Sequence, residues 1–156
     1  MDKIEQKLID MGYQLPKPRV GSKIVPAKVV GNLVFVSGHG CSDEDGNLKY
    51  RGRVGTDVSL EEAYEAAKLC AINALGGLKA VIGNLERVDE IVKVLGFVNS
   101  DEDFHRQPEV MHGFTDLLVE LFGPEKGIHA RSAIGTSNLP KNQPVEVEMI
   151  VTLKDA

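Results

Sequence analysis

Cysteine is scarce in this sequence, which excludes a stabilising disulfide framework. The 156 residues include two cysteines, Cys41 and Cys70, and the two do not form a CxxC pair. Secreted disulfide scaffolds are far richer in cysteine, so we expect reduced thiols and a cytoplasmic location. Cys70 falls on the apolar stripe of a predicted helix, where cysteine packs as a small hydrophobic side chain rather than acting as a nucleophile.

Clusters of basic residues are also missing, which argues against a nucleic-acid partner. The net charge is −5 and the pI is near 5.4. Nucleic-acid binding depends on clustered Lys and Arg that displace counterions from phosphates. The densest basic patch here is short and consists of Lys49, Arg51 and Arg53. We therefore expect no nucleic acid as a partner.

Long apolar runs are a third feature that the sequence lacks. Leu33–Ser37 and Ile91–Val98 are among the longest, and both are far shorter than the roughly 20 residues that span a bilayer. The chain starts with residues of sequence MDKIEQK, which are too charged for a secretory signal. We expect no association with a membrane.

The composition that remains is typical of one globular domain. Hydrophobic residues make up 42% of the chain and charged residues 26%, which is too apolar for disorder. Residues 3–12 place Ile4, Leu8 and Met11 at helical spacing, and a stretch rich in Pro and Gly follows. We interpret residues 1–20 as a short helical extension tethered to a main domain of residues 21–156.

The main domain shows an alternation of strand and helix patterns. Two β-rich runs flank Gly31-Asn32, which is typical of a two-residue hairpin turn. Ser59 and Glu62 form a capping box that predicts a helix to about Val81. Further patterns predict a strand over Glu90–Asn99, a helix over 106–122, and strands over Ile128–Ser137 and Pro144–Leu153. This order predicts an α+β fold, an antiparallel or mixed sheet with two helices packed on one face.

Arg131, on the first of the two C-terminal strands, is the strongest candidate for a chemical role. If those strands form a hairpin with residues 137 and 144 opposite, Arg131 shares a face with Ala133, Gly135, Glu146, Glu148 and Ile150. Small neighbours leave room over the guanidinium for a carboxylate ligand. The simpler interpretation on pattern alone is a cross-strand salt bridge, with Glu148 as the nearer acid.

Glycines surround a second candidate site at the end of the predicted second strand. Ser37, Gly38, His39 and Gly40 follow one another there, and glycine lets a ligand approach backbone amides. His39 is either a site residue or a solvated loop residue. His105, His112 and His129 have no metal-ligand spacing, and His112 lies among apolar neighbours, which favours a structural role. We expect neither a metal nor a cofactor.

Four segments together resemble the RidA/YjgF family, whose members are also labelled imine deaminases or endoribonuclease L-PSP. They are GNLVFVSG at 31–38, FVNSDEDF at 97–104, HARSAIG at 129–135 and LPKNQPVEVE at 139–148. The resemblance implies a chorismate-mutase-like mixed sheet and a homotrimer with clefts between subunits. It also implies that Arg131 holds a substrate carboxylate, that Glu146 positions water, and that Ser37, Gly38, His39 and Ala133 contact the substrate.

The reaction that the resemblance implies is hydrolysis of a 2-imino acid, or its enamine tautomer, to a 2-keto acid and ammonia without a cofactor. The chain departs from the family pattern at Ile24, where a pocket tyrosine is expected, and at Ala133, Pro108 and His39. A second hypothesis is a non-catalytic trimer that binds a small carboxylate. An endoribonuclease is the third, and it fits an acidic chain poorly.

Overall fold

The structure, a computed structural model, describes residues 2–17 and 23–155. These residues include five strands and four α-helices. In chain order they are α1 (Lys3–Asp10), β1 (Ala27–Val30), β2 (Leu33–His39), α2 (Leu60–Ile82), β3 (Val88–Asn99), α3 (Gln107–Phe122), α4 (Pro124–Gly127), β4 (Ala130–Thr136) and β5 (Val145–Leu153). The predicted boundary between residues 20 and 21 lies outside the described residues.

The strands form one mixed sheet in the order β1-β2-β5-β3-β4. β3 and β4 run parallel, and the other neighbouring pairs are antiparallel. α2 and α3 pack together on one face, where alternate side chains of β5 are buried, among them Val147, Met149 and Val151. The prediction of a mixed sheet with two helices on one face is confirmed.

α2 begins where the capping box predicts. The Glu62 amide donates to Ser59 Oγ at 3.1 Å, and the Ser59 amide donates to Glu62 Oε1 at 3.0 Å. A stripe of small side chains along α2 is fully buried, which brings the helix close to its neighbours: Ala63, Ala66, Ala67, Cys70, Ala71 and Ala74. None of the described helices is long and apolar enough to cross a membrane.

The N-terminal segment is fastened to the main domain at several points, although the sequence predicted only a tethered helix. Leu8 is 1% exposed and belongs to the common core. Asp2 accepts from the Ile4 amide at the start of α1 and also from the Leu85 amide, which lies beyond α2. Glu5 forms an ion pair with Lys79 of α2. The extension is therefore an integral outer layer of the fold.

The last two strands do not form the hairpin that the sequence suggested. Arg131 of β4 lies opposite Val94 of β3 in parallel register, and Met149 of β5 lies opposite Val94 on its other side. The physical reason is burial. β5 is the strand with five fully buried apolar side chains, and it takes a central position where both edges are paired. β4 has shorter and more polar side chains and takes the edge.

Both cysteines are reduced and fully buried, as the sequence predicted for Cys70. The Cys70 thiol lies against the sheet, 3.4 Å from the carbonyl oxygen of Val145. Cys41 follows β2, and its backbone amide donates to Oε1 of Gln143 at 3.1 Å. The Cys41 and Cys70 side chains contact each other, so both thiols lie between the sheet and α2.

Candidate functional site

Arg131 lies on the edge strand and its side chain extends towards α3. Paired residues of neighbouring strands share a face, and Val94 opposite Arg131 is buried under the helices. Nη1 of Arg131 donates to Thr115 Oγ1 at 3.0 Å and to His112 Nδ1 at 3.2 Å. Nη2 donates to the carbonyl oxygen of Pro108 at 3.3 Å. Three groups of one helix thus hold the guanidinium.

These contacts occupy three of the five N–H donors of a guanidinium. Nε–H and one N–H of Nη2 have no acceptor among the described residues, so these two donors are available to a ligand such as a carboxylate. Burial lowers the pKa of Arg131 and nearby Asp116 opposes that shift, but an arginine stays cationic at neutral pH. The described acids include no ion-pair partner for Arg131, so the predicted salt bridge with Glu148 is not formed.

A relay behind Thr115 fixes the orientation of the anchor. His129 Nδ1 donates to the carbonyl oxygen of Gly127 at 2.7 Å, so its Nε2 accepts from the Thr115 hydroxyl at 3.0 Å. Burial lowers the pKa of His129, the hydrogen bond to the Gly127 carbonyl opposes that shift, and the positive charge of Arg131 adds to it. Because neutral His129 accepts the hydroxyl proton of Thr115, the lone pairs of Thr115 Oγ1 are available to accept from Arg131. The threonine therefore acts as a fixed acceptor.

His112 contacts Arg131, which the sequence analysis did not predict. It is exposed on α3, and its Nδ1 accepts from Arg131. Pro108, His112 and Thr115 are spaced four and three residues apart, so they lie on one stripe of the helix. This spacing was the sequence signal for a shared contact surface. It could be related to Arg131 only when the structure placed β4 beside α3.

Glu146 lies on the other face of the sheet. Its neighbours Val145 and Val147 are buried under the helices, so the Glu146 side chain projects from the open face, opposite Phe97 of β3. Burial raises the pKa of Glu146, and the charge of Glu148 on the same face raises it further. Within one chain, Arg131 and Glu146 therefore point away from each other.

A bulge in β2 brings backbone close to Glu146. Val36 pairs with Met149 and His39 pairs with Val147, so Ser37 and Gly38 together face Glu148. A Cβ atom on Gly38 would stand 2.7 Å from Glu146 Oε2. The Ser37 hydroxyl donates to the Val25 carbonyl at 2.7 Å. The glycine thus leaves the space that the carboxylate occupies.

The remaining predicted site residues divide between the two faces. The ring of His39 faces α2, since a Cβ atom on Gly77 would lie 2.5 Å from its Nε2, and its Nδ1 donates to the Ser37 carbonyl at 2.6 Å. Ala133 lies two residues after Arg131 on the helix side of β4, opposite Gly96. The structure thus groups Arg131 with Ala133, and Glu146 with Gly38. His39 joins neither group through its ring.

Metal-ligating residues are dispersed. Across residues 2–17 and 23–155, no group of three or more His, Cys, Asp and Glu side chains is placed to hold a metal ion.

Comparison with known proteins identifies relatives over nearly the whole chain. Residues 5–153 match the model of a family described as "YjgF/chorismate_mutase-like, putative endoribonuclease". Protein TCP17 of Trypanosoma cruzi is 32% identical over 98% of this chain and 96% of its own length. A 2-iminobutanoate/2-iminopropanoate deaminase of Dermatophagoides farinae is 27% identical over 89% of this chain and 98% of its own. The crystal structure of Atu1372 from Agrobacterium tumefaciens, a protein of unknown function, superposes with a TM-score of 0.88 at 37% identity, covering 97% of this chain and 92% of that one.

Proposed function

Because the chain belongs to the YjgF/chorismate mutase-like family, we propose that it hydrolyses reactive 2-imino acids, or their enamine tautomers, to 2-keto acids and ammonia. The observation that carries the proposal is the pair of unoccupied N–H donors on Arg131, a cation that α3 holds in place. The similarity to an imine deaminase supports the choice of reaction.

The complete site requires two copies of the chain, because Arg131 and Glu146 project from opposite faces of one sheet. One subunit supplies Arg131 with the backbone of Ala133 at the sheet edge. A neighbour supplies Glu146 with Ser37 and Gly38 from its open face. That open face is apolar enough to associate, since Phe35 is 45% and Ile134 47% exposed. We assign the assembly as a homotrimer, in agreement with the resemblance described above.

The chemistry follows from these two groups. Arg131 binds the substrate carboxylate bidentately and withdraws electron density from the adjacent C2. Glu146, as a carboxylate, takes a proton from water while the oxygen adds to C2 of the protonated imine. The proton on Glu146 then passes to the amino nitrogen of the resulting carbinolamine. The C–N bond breaks as Glu146, again a carboxylate, takes the proton of the hydroxyl, which leaves a 2-keto acid and ammonia, and ammonia then takes this proton from Glu146 and leaves as ammonium.

Binding without turnover is the second candidate, and one observation favours it. Ile24 stands where the resemblance places a pocket tyrosine, and its side chain is 70% exposed and has no hydroxyl. Binding of a carboxylate ligand requires only Arg131, whereas turnover also requires Glu146 and a correctly positioned water molecule. The two candidates therefore differ in their dependence on Glu146.

An imine generated in the cuvette tests the proposal directly. A pyridoxal-phosphate dehydratase acting on threonine releases 2-iminobutanoate, and the loss of imine absorbance is followed with and without this protein. We expect the wild type to accelerate the loss, and both Arg131→Ala and Glu146→Gln to abolish the acceleration. The variant Asp45→Asn, on an exposed loop, serves as the control and should match the wild type.

Three outcomes separate the candidates. Acceleration by the wild type that Arg131→Ala retains in full would contradict the proposed mechanism. Saturable binding of 2-oxobutyrate with no acceleration of imine loss would establish the binder instead. Binding that Arg131→Ala leaves unchanged would remove both candidates.

A further inference from the structure

A cleft lies between the N-terminal segment and α2, apart from the groups around Arg131 and Glu146. It encloses about 480 Å³, which is within the range of small-molecule sites. Its walls come from the end of α1 and the following turn, from the loop after β2, and from α2. The lining residues that matter here are Ile9, Tyr13, Glu44, Leu69, Ile72 and Asn73.

Asn73 gives this cleft a fixed polar group. The residue is 8% exposed, and its Nδ2 donates to the carbonyl oxygens of Gly40 at 2.8 Å and Ser42 at 2.9 Å. These two bonds fix which end of the amide is the oxygen. Oδ1 receives no hydrogen bond from the described residues, and it is not sealed from solvent. An oriented acceptor thus remains on a residue that lines the cleft.

Oδ1 of Asn73 keeps some access to solvent, so water can satisfy it, and a ligand that displaces this water without replacing its hydrogen bond loses affinity. The ligand that fits must therefore bring an N–H or O–H group. Ile9, Leu69 and Ile72 offer it an apolar wall. The exposed carboxylate of Glu44 lines the same cleft, and it favours a donor that carries positive charge.

We propose that this cleft binds a small organic amine, with its ammonium group between Asn73 Oδ1 and Glu44 and its hydrocarbon body against Leu69 and Ile72. The ring of Tyr13 already has the Lys68 ammonium over it, 5.8 Å from its centroid, so the ligand's ammonium group is placed on the Asn73 and Glu44 side of the cleft. The site is independent of the proposed deaminase activity, because the two share no residue.

A titration with benzylamine, followed by NMR on the intact chain, tests the proposal. The side-chain amide of Asn73 and the methyl groups of Ile9 and Ile72 all line the cleft and report on binding there. We expect saturable shifts of all three with benzylammonium, and weaker binding of benzyl alcohol, which has the same body and a neutral donor. Glu44→Gln should weaken benzylammonium binding by about two- to five-fold, as for loss of one exposed ion pair.

Two further variants control for position and for folding. Asp45→Asn removes a carboxylate from the same loop but not from the cleft lining, and it should leave the affinity unchanged. Ile9→Lys places a cation in the wall at a residue exposed enough to tolerate it, and it should abolish binding without changing the melting temperature. Equal affinity for benzyl alcohol, or shifts confined to residues outside the cleft, would overturn the proposal.

Discussion

Gly38 and Glu146 lie so close together that a methyl group on the glycine would stand 2.7 Å from Oε2 of the carboxylate. The backbone of Gly38 does not require glycine on conformational grounds, since its φ is not positive. We therefore expect Gly38→Ala to fold but to displace Glu146, with imine hydrolysis reduced about tenfold or more, as for a misplaced catalytic group. Steady-state rates and a melting curve together measure this. A variant with wild-type rates would show that Glu146 is not the group that activates water.

Glu148 contributes to the acid limit of the proposed reaction through its charge. Hydrolysis needs Glu146 in its carboxylate form, so the rate falls as the pH drops through the pKa of Glu146, which burial and the charge of Glu148 both raise. Glu148→Gln removes the second cause, so the acid limb of the pH–rate profile should move to lower pH. Asp45→Asn also removes one negative charge, but Asp45 is not among the groups that shift the pKa of Glu146. This variant should therefore leave the acid limb of the pH–rate profile unchanged.

Mixed oligomers test whether Arg131 and Glu146 act from different subunits. Arg131→Ala and Glu146→Ala should each be inactive alone. In an equal mixture of refolded chains, half of the subunits are Glu146→Ala chains with an intact Arg131, and half of their neighbours are Arg131→Ala chains with an intact Glu146. About a quarter of the sites therefore have both residues. We expect about a quarter of wild-type activity in this mixture. No recovery, in oligomers shown by mass spectrometry to be mixed, would place both residues in one chain's site.

His112 should position Arg131 through the acceptor at Nδ1. His112→Gln retains an acceptor in the form of an amide oxygen, whereas His112→Leu has none. We expect His112→Leu to weaken 2-oxobutyrate binding about fivefold, as for one hydrogen bond, and His112→Gln to restore it. Calorimetric titration measures both affinities. Equal affinities in the two variants would show that the contact has no influence on the anchor.

The close packing of α2 and α3 depends on Gly113. A methyl group there would collide with the carbonyl oxygen of Tyr64, and backbone cannot rotate out of the way as a side chain can. Gly113→Ala should lower the free energy of unfolding by roughly 1–3 kcal/mol. Urea denaturation measures the change. Glu120→Ala, at an exposed position of the same helix, is the control, and it should change the stability by less than about 0.5 kcal/mol.

Local signals in the sequence predicted the elements of this fold well. The capping box at Ser59, the Gly31-Asn32 turn and the alternation along Val145–Leu153 each act within a few residues, and each element formed where the signal lay. The strand order was not predictable in the same way. A hairpin between β4 and β5 satisfies the same local pattern, and only the burial of β5 between β2 and β3 decides against it.

The candidate site depended on that non-local order. Arg131 was identified from its small neighbours and from the family resemblance, but its face could not be assigned until β4 was paired with β3. His112 was hidden for the same reason. Its neighbours Met111 and Gly113 are buried, which made the whole stretch resemble core.

The placement of Cys41 and Cys70 between the sheet and α2 gives the chain an internal reporter of its own opening. Both thiols have no exposed surface, so a thiol reagent can react with them only when α2 and the end of β2 separate. The labelling rate, compared with that of an unfolded peptide, gives the free energy of that separation. Neither thiol belongs to the Arg131 or the Glu146 group. The measurement therefore reports how readily α2 separates from the sheet, and it needs neither a substrate nor an engineered probe.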